Sequence, residues 1–185
     1  IVPTFGDNPE ICERKDTTQK VTAVAFATDG STVPLGDAEI SISCVFDECV
    51  IGKTRLESSG YSLTTQFPQC IGAKIRASKQ GYHTGSIEVD TNQEGLINIP
   101  LEPYYELPVS AIIDDEGTLR SPYDTESILF QFENQDKEYF TTYYYPSNEP
   151  IKLIAGKYKI TSTVMTQTEG GFNFPLREVE ICSDV

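Results

Sequence analysis

The segment Ala38-Glu39-Ile40-Ser41-Ile42-Ser43-Cys44 alternates apolar and polar residues without a break. Successive side chains of an extended chain point to opposite sides of a sheet, so Ala38, Ile40, Ile42 and Cys44 belong on one buried face. The same period recurs in neighbouring segments. Val21, Ala23 and Ala25 lead to the turn Asp29-Gly30, and Tyr61, Leu63 and Phe67 lead to Pro68. Ala73, Ile75 and Ala77 alternate with Lys74, Arg76 and Ser78; Ile87 and Val89 follow, then Ile97, Ile99 and Leu101. About six strands in some 80 residues, joined by short turns, are the pattern of an antiparallel sandwich. Helical periodicity is nearly absent.

A second series begins after Leu101-Glu102-Pro103. Leu107, Val109 and Ala111 precede the turn Asp114-Asp115-Glu116-Gly117, and Ile128, Phe130 and Phe132 alternate with Leu129, Gln131 and Glu133. An aromatic, Thr-rich run from Tyr139 to Tyr145 stops at Pro146-Ser147-Asn148. Ile151 and Leu153 lead through Gly156 to Tyr158, Ile160 and Val164, and Phe172, Phe174, Val179 and Ile181 close the chain. The expected organisation is an N-terminal extension over 1–19, one sandwich over 20–102 and a second over 103–185. No flexible linker separates them, which predicts a short, stiff junction near Pro103.

Three groups of residues carry a family likeness: Val21-x-Ala23-x-Ala25-x3-Asp29-Gly30; Pro34-Leu35-Gly36-x-Ala38-x-Ile40-x-Ile42; and Gly81-Tyr82 before a final strand pair. Over about residues 20 to 102 the chain resembles carboxypeptidase-regulatory-like domains, within the wider transthyretin-like (prealbumin-like) β-sandwiches. The second half shares only the looser Leu153-x2-Gly156-x-Tyr158-x-Ile160 pattern. The resemblance implies an all-β chain of two tandem Ig-like/transthyretin-like antiparallel β-sandwich domains, and a non-catalytic module of a surface protein, adhesin, pilus or exported enzyme. Prealbumin-like pilin domains can form an internal Lys–Asn cross-link, but the stretch where their Lys stands reads Ala25-Phe26-Ala27 here. Asn98 is therefore expected to be an ordinary strand residue.

Composition narrows the partners. The 185-residue chain has 28 acidic against 14 basic side chains, a formal charge of −14. That field repels phosphate backbones and anionic lipid, so nucleic acid and membrane surfaces are excluded as favoured partners. No apolar stretch approaches the roughly 18–20 residues that span a bilayer, so membrane insertion is not expected. The chain begins at Ile1 rather than Met, as a processed or excised polypeptide would, which neither shows nor excludes export. None of the six Asn residues opens a glycosylation acceptor, which disfavours an animal cell-surface glycoprotein.

Five cysteines fit an oxidising compartment. Cys49 lies in the loop after the Ala38–Cys44 strand and Cys70 follows Pro68, so a Cys49–Cys70 bridge is the expected pairing. Cys12 and Cys182 can pair if the ends of the chain meet. Cys44, on the apolar parity, is expected as a buried thiol. With His83 as the single histidine, no C-x2-C pairs, no G-x-S-x-G elbow and no phosphate-cradling glycine loop, neither a catalytic constellation nor a cofactor or metal set is expected.

Recognition is sought instead in the aromatic run, where Tyr139, Tyr143 and Tyr145 are the candidate binding residues. Outward tyrosines either stack on sugars or a protein partner, or cover a domain junction. The acidic set Asp114, Asp115, Glu116, Asp124 and Glu126 offers oxygen ligands for Ca²⁺, although turns are Asp-rich in any case. Ile1-Val2-Pro3-Thr4-Phe5 either inserts into a neighbour's open sheet or packs on its own domain. The expected function is a non-catalytic extracellular structural or adhesive protein, a filament subunit or stalk module, with self-assembly or neighbouring surface subunits as partners. The alternative is a carbohydrate- or protein-binding accessory module of an exported enzyme.

Overall fold

The structure is a computed structural model describing residues 16–27, 30–44, 47–168, 171–173 and 179–184. Cys12 and Ile1–Phe5 lie outside these, as does Phe174, and the side chains of Phe172, Val179, Ile181 and Cys182 are not described. The protein is all-β, and no described residue is helical. It divides into two compact units between Pro103 and Tyr104.

The strands of the first unit are β1 (Thr17–Phe26), β2 (Thr32–Pro34), β3 (Glu39–Cys44), β4 (Asp47–Lys53), β5 (Arg55–Glu57), β6 (Gly60–Phe67), β7 (Ala73–Ser78), β8 (Tyr82–His83), β9 (Gly85–Val89), β10 (Gly95–Pro100) and β11 (Glu102–Pro103). One sheet runs β10-β1-β6-β5, with β2 on β1, and the other runs β4-β3-β7-β9. Each alternating strand turns its apolar parity to one shared core: Val21, Ala23, Ile97, Ile99 and Phe67 from the first sheet, Ile40, Ile42, Ala73, Ile75 and Ala77 from the second. Burying one such Ile or Phe contributes roughly 1.5–3 kcal/mol. Three details depart from the expectation. β1 begins at Thr17, inside the stretch read as an extension, and Gln19 is buried. β1 and β10 pair in parallel. Tyr61 and Ile87, expected on the buried parity of their strands, are exposed.

Buried polar side chains tie down the connections. Thr54 Oγ1 donates to the Leu35 carbonyl at 2.7 Å and accepts the Ala38 N–H at 2.9 Å. Thr91 Oγ1 donates to the Pro68 carbonyl at 2.6 Å and accepts the Cys70 N–H at 2.9 Å, fixing the loop that carries Cys70. Gln19 Nε2 donates to the Gln93 carbonyl at 2.6 Å. Each satisfies backbone groups that burial would otherwise leave costly.

Cys70 is bridged to Cys44, with Cα atoms 6.3 Å apart and a sequence separation of 26. Cys44 is thus not the expected free thiol. It shares Cys70 with the pairing first assigned to Cys49, which is buried in the same cluster and also in disulfide contact. A sulfur holds only one disulfide partner; Cys44 and Cys49, the latter opposite buried Ile42, share the inward face with Cys70, and the bridge described is Cys44–Cys70. A bridge closing a loop of this length stabilises by about 3 kcal/mol through the unfolded chain. Cys70→Ser is therefore expected to lose about that much in urea unfolding. Non-reducing peptide maps of Cys49→Ser should retain the Cys44–Cys70 link, and its loss in that variant would refute the pairing.

The second unit contains β12 (Tyr105–Leu107), β13 (Ile113–Asp115), β14 (Thr118–Arg120), β15 (Glu126–Asn134), β16 (Phe140–Tyr145), β17 (Ile151–Leu153), β18 (Lys157–Thr168), β19 (Gly171–Asn173) and β20 (Val179–Asp184). Its main sheet runs β16-β15-β18-β19, with β20 on β18; β12 pairs with β17, and β13 with β14. The expected strand through Leu107, Val109 and Ala111 stops at Leu107, where Pro108 removes a donor. Where the first core is aliphatic, this one is aromatic. Phe132, Tyr143, Ile151, Leu153 and Tyr158 are buried together, with Phe130, Tyr139, Tyr145 and Ile160 packed against them.

Three of the five acids, Asp114, Asp115 and Glu126, are engaged internally. Arg120 Nη1 and Nη2 donate to the two Glu126 carboxylate oxygens at 2.7 and 2.9 Å, Nε reaches Asp115 at 3.5 Å, and the guanidinium lies 4.1 Å from the Tyr123 ring centre. Asp114 accepts the Gly117 N–H at 2.8 Å, closing the β13–β14 turn. The Arg120 hydrogen bonds hold the Glu126 carboxyl below the usual range, although burial opposes them. A depressed carboxylate contributes stability above its unfolded pKa and loses it as pH falls through the folded value. Glu126→Gln should therefore be less stable than the native chain at neutral pH, with the gap shrinking below about pH 4. Urea midpoints measured across that range test this, and a gap independent of pH would contradict it.

Candidate binding groove of the second unit

The aromatic run lies on β16, the terminal strand of its sheet. Both parities of the run are aromatic or Thr, so the sequence does not say which faces inward. The pairing does. Phe130 opposes Tyr143, Ile128 opposes Tyr145, and Phe132 opposes Thr141, so Tyr143 and Tyr145 turn toward the core, as does Tyr139 at the head of the strand. Of the three candidates, Tyr143 is 7% exposed and Tyr139 and Tyr145 are half-buried. The rings presented to solvent are Phe140, 59% exposed, and Tyr144, 60% exposed.

The inward tyrosines build the wall of a groove of about 560 Å³ at the β16 edge, lined by Tyr104, Tyr139, Tyr143, Tyr144, Glu149 and Lys152 among others. Two of the inward hydroxyls find main-chain acceptors. Tyr139 donates to the Lys152 carbonyl at 2.6 Å, and Tyr143 donates to the Glu149 carbonyl at 3.0 Å. These bonds pin the Ser147–Pro150 loop and β17 against β16. The Tyr104 and Tyr139 rings lie 6.3 Å apart at 52°, and Tyr139 meets Tyr158 edge-on at 6.3 Å. Burial, followed by the neighbouring Tyr104 and Tyr158, pushes the Tyr139 hydroxyl up to about 12, so it stays a neutral donor at any physiological pH. Lys152 and Glu106 form a solvated ion pair at 3.6 Å on the rim, a contact worth little by itself.

On the outward face the register places Tyr144 beside Leu129 and Thr163, Thr142 beside Gln131 and Thr161, and Phe140 beside Glu133. The result is a surface of hydroxyls and amides flanked by two rings about 13 Å apart along the strand. Such a surface can stack on flat apolar faces while exchanging hydrogen bonds. Sequence reading missed Tyr104, Phe140 and Tyr144 as site residues; only the pairing of β16 with β15 assigns them.

Among the described residues, no three His, Cys, Asp or Glu side chains are gathered as metal ligands, and no helix is long and apolar enough to cross a membrane. No protein-family profile matches the chain, and no characterised protein matches it by sequence. Several solved structures resemble it at low similarity. One is a putative carbohydrate binding protein from Bacteroides uniformis, with 9% identity and TM-score 0.34, covering 92% of this chain and 100% of that one. Another is a DUF3823 family protein from Parabacteroides merdae, with 9% identity and TM-score 0.31, covering 89% and 98%. A third is the streptococcal ancillary pilin, with 12% identity and TM-score 0.32, covering 91% of this chain and 59% of that one.

Proposed function

We propose that the protein is a non-catalytic, extracellular adhesive module that holds a carbohydrate at the groove and outer face of β16. One observation carries this reading: Phe140 and Tyr144 stand exposed on either side of Thr142 and Gln131, beside a groove whose tyrosines are already anchored. Sugars present apolar C–H faces rimmed by hydroxyls, and this surface offers the complement of both. Preorganised rings lower the entropy lost on binding. The bridged Cys44–Cys70 pair supports an oxidising compartment.

A second reading rests on the edge of the same strand. β16 ends its sheet, and a terminal strand offers main-chain hydrogen bonds to a neighbouring copy, the route to a filament or stalk. Glycan-array binding by the native chain, reduced about tenfold or more in Tyr144→Ala, is the expected result for the first reading. A silent array, with oligomers that grow with concentration, would transfer support to the second.

A further inference from the structure

The geometry points to a second ligand site, in the first unit, for a carboxylated saccharide. On the outer face of the β10-β1-β6-β5 sheet a groove of about 370 Å³ is lined by Lys20, Thr22, Tyr61, Ser62, Leu96 and Asn98, with others. Groove volumes of this order accommodate one or two sugar rings.

Its parts are placed by the fold. The register sets Lys20 beside Leu96, one step along from Thr22 beside Asn98. Tyr61, 41% exposed, lies where its ring passes over Gly36; a Cβ at residue 36 would fall 2.5 Å from Tyr61 Cε1. Gly36 thus provides the space in which the ring is seated, so an otherwise exposed tyrosine has a defined pose. The Lys20 ammonium is hydrogen-bonded to Ser59 Oγ, which steers it over the groove.

The charge pattern names the ligand class. The chain carries twice as many acids as bases, yet among the described residues Lys20 makes no ion pair. Glu57, whose carboxylate feels the Lys20 charge, is engaged by Ser62 Oγ at 2.7 Å, Thr64 Oγ1 at 2.9 Å and the Thr64 N–H at 3.0 Å. Those bonds hold its carboxyl below the usual range and occupy its oxygens. The groove thus holds one ammonium, bonded to Ser59, in a lining it shares with Tyr61, Asn98, Thr22 and Ser62. A sugar bearing a carboxylate places its C–H face on Tyr61 and its anion at Lys20, with Asn98 and Thr22 meeting ring hydroxyls. In a chain of charge −14, long-range repulsion disfavours a polyanion, so the short-range contact selects a single charge per site.

The test is calorimetric titration of the full chain in a Tyr144→Ala background, which disables the groove of the second unit. The probes are sialyllactose, a methyl galacturonide and a disaccharide bearing one glucuronate, each with a single carboxylate and each beside its neutral or esterified counterpart. At least one acidic probe is expected to bind, tenfold or more weaker in Lys20→Met, with Lys20→Arg retaining most of the affinity and Tyr61→Ala losing it. Both lysine replacements are on the surface, and circular dichroism confirms their fold. Absence of binding by all three acidic probes, equal affinity for esterified probes, or indifference to Lys20→Met would each overturn the assignment. None of these outcomes bears on the Tyr144 groove, whose failure would be seen in the native array instead.

Discussion

Replacing Tyr158 by Ala is expected to destabilise the second unit by about 3–5 kcal/mol, the range for removing a large aromatic side chain from a core. Tyr158 is completely buried. Its ring meets Phe132 at 6.4 Å and 75° and Tyr139 at 6.3 Å and 88°, both edge-to-face arrangements. Its hydroxyl donates to the Ile154 carbonyl at 2.8 Å and accepts the Ile154 N–H at 3.2 Å, closing the turn between β17 and β18 onto itself. Truncation loses both the ring packing and the partner of two buried main-chain groups. Tyr158→Phe keeps the ring and removes only the hydroxyl, for an expected cost of about 1–2 kcal/mol. Urea unfolding of the two variants separates the contributions. Because Tyr139 rests on Tyr158, Tyr158→Ala should also abolish ligand binding at the β16 groove, whereas Tyr158→Phe should preserve it. Equal, small losses of stability in both variants would show that the aromatic cluster does not organise this unit.

Gly85→Ala is expected to destabilise the first unit by at least about 3 kcal/mol, at the upper end for overpacking. A Cβ built on Gly85 would fall 2.0 Å from the Pro100 carbonyl oxygen, 3.0 Å from Leu101 Cδ2 and 3.1 Å from Ile99 Cγ2. The first obstacle is backbone, which cannot rotate aside, and the other two belong to fully buried side chains. Relief requires β9 and the end of β10 to separate, which exposes Ile99 and Leu101. Gly52→Ala is the control, because its Cβ would meet only Leu63 methyls at 3.4 and 3.5 Å, ordinary contact. That substitution should change stability by less than about 1 kcal/mol. Similar denaturation midpoints for the two variants would contradict the close approach of β9 to β10.

What could be read from the sequence follows from where the chemistry is local. β3 and β7 have one apolar and one polar face, so their inward residues were evident from alternation alone. Gln19, Thr54 and Thr91 are buried for their hydrogen bonds, and a polar side chain at an inward position gives no apolar signal. The parallel pairing of β1 with β10 joins residues far apart in sequence, and no turn chemistry announces it. The candidate site was half legible. The aromatic run identified the strand, but with rings and threonines on both parities only its partner β15 could decide that Phe140 and Tyr144 face outward. Cysteine spacing pointed to a bridge at Cys70, but Cys44 and Cys49 share the inward face, so alternation could not choose between them.

The central claim is that the outer face and edge groove of β16 recognise sugar. Amide-shift mapping of the full chain, titrated with neutral hexaoses of differing linkage, tests it most directly. The account predicts that for at least one of them the shifts concentrate at Gln131, Thr142, Tyr144 and the Ser147–Lys152 segment. Titrations that leave those amides unmoved with every hexaose would contradict it.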